Sequence, residues 1–260
     1  MNKNDVTKYL KNIQDRAVQN WMTHASVTVG ANSSTTLTII VPSQYDFHVF
    51  TLQSKQTGVY TAEIRDAAGT YFNNKPLHSS TIFGNGNLPY KLPYPYLLRR
   101  SSAMVFNISD LSGSSNTIQI TLGGVAYYSQ QISDKIYSEN KNIIPFVYTF
   151  DDTPISVGTT DTSAKIIIAK EHEWLMTKIS YKDNNSSTGL QAKFETSSGK
   201  AMQNEYLDMA TTFGNAQYPY IFQSPTAFYG GNSITMKFKD TSSNTLYMAF
   251  GGIAELKGIK

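Results

Sequence analysis

The chain contains no cysteine, which excludes disulfide staples, thiolate metal sites and a cysteine nucleophile. It is also poor in charge. Charged residues make up 16% of its 260 positions, against roughly a quarter in an average globular protein. The net charge is +3, and Arg99-Arg100 is the one pair of adjacent arginines, so there is no basic stripe of the kind that tracks nucleic acid. No apolar run approaches the length needed to span a bilayer. The opening MNKNDVTKYLKNIQDRAVQNW lacks the apolar core and small-residue cleavage site of a secretion signal, so a soluble protein made in the cytoplasm is expected. GxSxG, P-loop, GxGxxG and HExxH patterns are missing too.

What the chain does have is aromatic residues, with 17 Tyr and 13 Phe, set among Ser, Thr and Asn. That mixture suits β-sheets joined by polar turns. One segment departs from it. Val6, Tyr9, Leu10, Ile13, Ala17 and Trp21 recur at steps of three and four, the spacing of an amphipathic helix. Asn4 or Asp5 is placed to cap its start. An N-terminal helix over residues 1–23 is therefore expected. It packs either on its own domain or on another subunit, in which case Val6, Leu10, Ile13, Ala17 and Trp21 form an assembly interface.

From residue 25 the pattern changes to period-two alternation broken by Gly, Asn, Ser and Pro. Short strands bounded by turn residues, such as FHVFTLQS (47–54), VYTAEIRD (59–66) and NTIQITLG (116–123), argue for a sandwich or jelly-roll-like barrel. The second half then repeats the first. VTVGANSSTTLTIIV (27–41) sets against ISVGTTDTSAKIIIA (155–169), FGNGNLPYKLPYP (83–95) against FGNAQYPYIFQSP (213–225), and NTIQITLGGVA (116–126) against NTLYMAFGGIA (244–254). The expected architecture is all-β. Two tandem homologous β-sandwich domains, at 24–128 and 150–260, are joined by a linker at 129–149 with room for a short helix.

Sites of chemistry are few. The 4 histidines are scattered without metal-ligand spacing. EHE at 171–173 would place its two carboxylates on one strand face and its imidazole on the other, which is poor chelate geometry, and it reads as a solvated turn. Asp151, Asp152 and Asp161 could contribute oxygens to a calcium site, but the first copy has Thr23, His24 and Ser33 there. Asp110 and Asp240 each open a Ser-rich turn, where Asp accepts from backbone N–H groups. No catalytic residue, cofactor or metal is expected. Tyr90, Tyr94, Tyr96, Tyr220 and Phe222 surround the Pro-rich stretches. They are candidate loop contacts, either as a platform for sugar rings or as plugs of the sandwich end beside prolines that cross it without pairing.

The run PYKLPYPYLLRRSSAMVFNISDLSGSSNTIQITLGGVAYY (89–128) resembles structural proteins of tailed bacteriophages. In these a Pro-rich aromatic stretch leads to an apolar strand, a Ser- or Asn-rich turn and a closing strand ending in Gly and an aromatic. Residues 219–256 share the pattern more weakly. The Asn-, Lys-, Ser- and Tyr-rich composition is similar to that of crAss-like phages. The resemblance implies a non-enzymatic virion component made in the host cytoplasm: a collar or ring protein of the tail, a fibre adaptor or a capsid auxiliary protein. Its partners would be further copies of itself, as a symmetric oligomer, and portal, tail, fibre or capsid proteins, with no nucleic acid and no membrane. Two other readings stand beside it. One is a carbohydrate-binding or adhesion module. The other is a double-jelly-roll major capsid protein, which fits the length and the duplication.

Overall fold

The computed structural model describes residues 18–185, 189–196 and 203–257. The first half holds β1 (Val18–Val29), β2 (Ser34–Ile40), β3 (Asp46–Gln56), β4 (Tyr60–Asp66), β5 (Leu77–His78), β6 (Tyr90–Leu98), β7 (Ala103–Asp110) and β8 (Asn116–Tyr127), with the one-turn helix α1 (Ser79–Ile82) after β5. They form two antiparallel sheets in the orders β1-β8-β3-β6 and β2-β7-β4-β5. Eight strands in these two orders make a jelly roll. Alternation drives the packing: β4 buries every second residue, because successive side chains leave a strand on opposite faces. Phe47, Val49, Ile64, Phe106, Ile118 and Leu122 meet in the space between the sheets.

A second jelly roll follows. Helix α2 (Gln130–Asn140) leads into β9 (Ile143–Tyr148), β10 (Ile155–Val157), β11 (Thr162–Ile167), β12 (His172–Asp183), β13 (Gln191–Thr196), β14 (Leu207–Asp208), α3 (Met209–Thr212), β15 (Tyr220–Tyr229), β16 (Ser233–Lys239) and β17 (Asn244–Leu256). The sheet orders are β10-β17-β12-β15, with β9 also on β17, and β11-β16-β13-β14. Strands β9 and β10 together take the place that β1 holds in the first half. Residues 129–149 thus carry α2 and a strand of the second sheet. Trp174, Met176, Phe194, Phe238, Met248 and Phe250 fill this core.

The expected N-terminal helix needs correction where it can be followed. Residues 18–23 are strand, paired to β8 from Val18↔Tyr127 onward, while Val6, Leu10, Ile13 and Ala17 lie outside the described residues. A spacing of four, as between Ala17 and Trp21, also keeps two residues on one face of a strand. Trp21 continues the odd-numbered row of Thr23, Ala25, Val27 and Val29, and its ring meets Tyr45 at 5.5 Å between centroids.

The FGN…PY…P stretches are also corrected. Their prolines do not carry the chain across unpaired. β6 pairs with β3 on both sides of Pro93 and Pro95, with Tyr96 opposite Val49 and Lys91 opposite Thr51, so residues 92–95 bulge out around these two prolines. β6 ends the sheet order, and an edge strand at a bulge is where missing N–H groups cost no ladder bond. The second copy repeats this, with Thr226 opposite Met176 and Ile221 opposite Lys178. Ahead of each bulge, Asn85 Oδ1 accepts from the N–H groups of Asn87 and Leu88, and Asn215 Oδ1 from those of Gln217 and Tyr218. A Cβ at Gly84 would lie 2.0 Å from the Leu88 carbonyl oxygen, and one at Gly214 1.5 Å from that of Tyr218. The repeated motif is a tight turn that only glycine can enter.

Candidate functional site

The feature that sets this chain apart from a single jelly roll is the seam joining its halves. The edge of the first half formed by β5, α1 and β6 packs on the outer face of the second half's β9-β17-β12 sheet. Two one-residue irregularities make that face. β3 and β12 each skip a residue against β8 and β17, at Phe50 and Thr177, opposite the pairs Gly123-Gly124 and Gly251-Gly252. The skip turns Lys178, Ser180 and Lys182 outward, beneath the first half. Gly251 leaves room for the ring of Pro93, which would lie 3.2 Å from a Cβ there.

Each contact has a partner chemistry. Ser180 Oγ donates to the Thr81 carbonyl at 2.7 Å, and the Ala216 N–H donates to the Ser80 carbonyl at 3.1 Å. Lys178 Nζ donates to the Lys91 carbonyl and lies 3.7 Å from the centroid of the buried Tyr90 ring. Among the described ion pairs none includes Lys178. Burial, with the nearby Lys91 charge, brings its amine down to about 7, because the charged form is the one that loses hydration. His78 caps α1 by accepting from the Ser80 N–H through Nδ1, and its ring meets Tyr247 at 4.4 Å. Burial first and Lys182 second lower this imidazole to about 4, so it is neutral at ordinary pH.

The loop between β4 and β5 closes the seam at its other end. Val147 N–H donates to the Phe72 carbonyl at 2.8 Å, and Asn74 exchanges two bonds with the Thr149 backbone at 2.8 and 2.9 Å. This covers the free edge of β9, which would otherwise present unpaired backbone groups. Below it, α2 clamps the base of the first jelly roll. Buried Asp46 accepts from Ser133 Oγ of α2 at 2.5 Å and from the Arg100 N–H at 2.7 Å, and Arg99 pairs with Asp134 and lies over the Tyr137 ring at 5.3 Å.

The proposed loop contacts divide accordingly. Tyr90 is buried in the seam, Tyr94 donates to Asn140 Oδ1 at 2.5 Å, and Tyr96 donates to Asp66 Oδ2 at 2.6 Å. All three are strand residues with internal partners, so they form no exposed platform. Phe222 is half-buried against the core, and Tyr220 is exposed. The EHE stretch is corrected too: His172 is buried at the start of β12 and shares a 2.6 Å hydrogen bond with Tyr148. Among the described residues no group of three His, Asp or Glu is arranged to hold a metal, and no helix is long and apolar enough to cross a membrane. Lys178, Ser180 and His78 were not singled out from the sequence. The signal that points to them is the second copy's outward row, which is buried without being apolar.

No family model and no curated protein matches the chain. Among solved structures it is similar to the STIV MCP, at 9% identity and a TM-score of 0.48, covering 91% of this chain and 97% of that one. It is similar to the major capsid protein P2 from bacteriophage PM2, at 9% identity and a TM-score of 0.47, covering 93% and 99%. It is also similar to PNGF-II, at 9% identity and a TM-score of 0.36, covering 96% and 67%.

Proposed function

We propose that this chain is a non-enzymatic coat protein of a virus particle, the double-jelly-roll subunit from which a shell is tiled. The observation that carries the reading is the seam: two jelly rolls of the same strand order are fixed edge to face within one chain. Jelly rolls serve as capsid, lectin and cupin folds. A cupin reading calls for a ligand cluster inside the barrel, where this chain packs Phe, Ile, Leu and Met. A lectin reading calls for exposed rings beside the Pro-rich stretches, where three of the five candidates have internal partners. A rigid two-block subunit suits a surface, because each chain then covers two lattice positions at a fixed angle.

Among virion positions, a shell is favoured over a tail ring or a fibre adaptor for the same reason. The test is absolute quantification of its peptides in purified particles. A shell predicts a copy number in the hundreds, whereas a ring would need only about a dozen. A trace copy number, or absence from intact particles, overturns the reading. The glycan alternative is checked on an array with the isolated protein, where binding lost on Tyr220→Ala would favour it.

A further inference from the structure

The seam inside the chain uses one edge of the first half and one sheet face of the second. The seam does not bury the duplicated partners of these two surfaces. Leu77 and Tyr90 on the used edge are each 2% exposed. Their counterparts Leu207 and Tyr220, at the same places before α3 and at the start of β15, are 41% and 42% exposed, with Ile221 beside them at 67%. A folded chain does not ordinarily leave such residues grouped in water without a partner. On the other surface, register fixes the correspondence. Thr51 opposes Gly123 as Lys178 opposes Gly251, so Thr51, Gln53 and Lys55 are the counterparts of Lys178, Ser180 and Lys182. The first set is half-buried to exposed, whereas Lys178 and Ser180 are buried beneath the first half.

We infer that a second copy of this chain docks here, laying the β14-α3-β15 edge of one molecule on the outer β3-β8 face of the next, with Asp208 of one copy paired to Lys55 of the other. The charges identify the occupant. Inside the chain the cap of α1 is His78, and Lys182 lines the same cleft as Ser79 and Ser80 next to it, a neighbour that disfavours a charged imidazole. At the duplicate position the cap of α3 is Asp208, whose Oδ1 accepts from the Ala210 and Thr211 N–H groups. Its counterpart across the seam is Lys55. A pair that is incompatible with two positive charges inside the chain therefore becomes a complementary ion pair between chains. The exchange also favours the correct pairing over a swapped one, since opposite charges steer and select partners. A contact between two different surfaces is heterologous and propagates, closing into a ring or running on as a lattice. Such docking is the contact by which a shell subunit would tile, and it rests on that reading.

The absence of cysteine makes the test clean. In the purified full-length chain, the double variant Lys55→Cys with Asp208→Cys is treated with a short bis-maleimide, each single variant serving as control. Covalent oligomers from the double variant, beyond those of either single one, are expected. Their absence overturns the inference. Because Asp208 also caps α3, the charge test is made first at exposed Lys55. Lys55→Glu should weaken self-association about tenfold or more by analytical ultracentrifugation. Adding Asp208→Lys should restore it, with circular dichroism confirming the fold. Unchanged association of Lys55→Glu would contradict the pairing. If these fail while particles still contain the chain in hundreds of copies, the shell reading stands and only the docking is wrong. A particle without the chain removes the reading itself.

Discussion

Lys178 is buried between the two jelly rolls with a carbonyl and an aromatic ring as neighbours. Its amine titrates at about 7 in the fold against 10.5 when free. Between these values the unfolded chain binds a proton that the folded chain does not, so stability rises with pH across that window. Lys178→Met should remove this slope and raise stability near pH 7 by about 1–4 kcal/mol, as replacing buried charge with apolar volume often does. Urea melts of both proteins at pH 7, 8 and 9 check it, below the range where tyrosines ionise. Parallel stability curves would contradict the assignment. Asp110 behaves oppositely. Burial alone would raise its carboxyl, but bonds from Ser112, Asn32 and Asn116 hold it at about 2 against an ordinary 3.8. The stability it contributes is fully present above pH 4 and is lost as pH falls through 2. Asp110→Asn should flatten the acid limb of unfolding between pH 4 and 2, measured by circular dichroism.

At the scale of elements, the bulges and tight turns place the seam. Gly84→Ala puts a Cβ against the Leu88 carbonyl oxygen, and a destabilisation of roughly 1–3 kcal/mol is expected from such crowding. Asn74→Ala leaves the Thr149 N–H and carbonyl without their partners across the seam, at a cost of about 1–3 kcal/mol. A second, earlier phase in thermal unfolding would show the halves parting. A single cooperative loss would show that the seam and the cores melt together. Many of these elements were readable in advance. Alternation marked β3, β4 and β8, and the polar turns marked where they end. Residues 18–23 misled because a spacing of four fits a helix and a strand face equally, and the pairing of β1 with β8 settles them as strand. The prolines misled because an edge strand with a bulge accommodates them without losing ladder bonds.

For the whole molecule, the duplication was legible because the FGN turns and the GG strands recur in register. The seam was not. Its residues are Lys, Ser, His and a carbonyl, types that read as solvent-facing until a neighbouring domain is placed over them. Leu207 and Tyr220 read the same as Leu77 and Tyr90 for the same reason, since burial at this edge depends on what docks there and not on the residue. The shell reading makes its plainest claim about abundance. Purified particles, digested and quantified against isotope-labelled peptides of this chain, should contain it in hundreds of copies, among their most abundant proteins. A dozen copies, or none, would contradict the account.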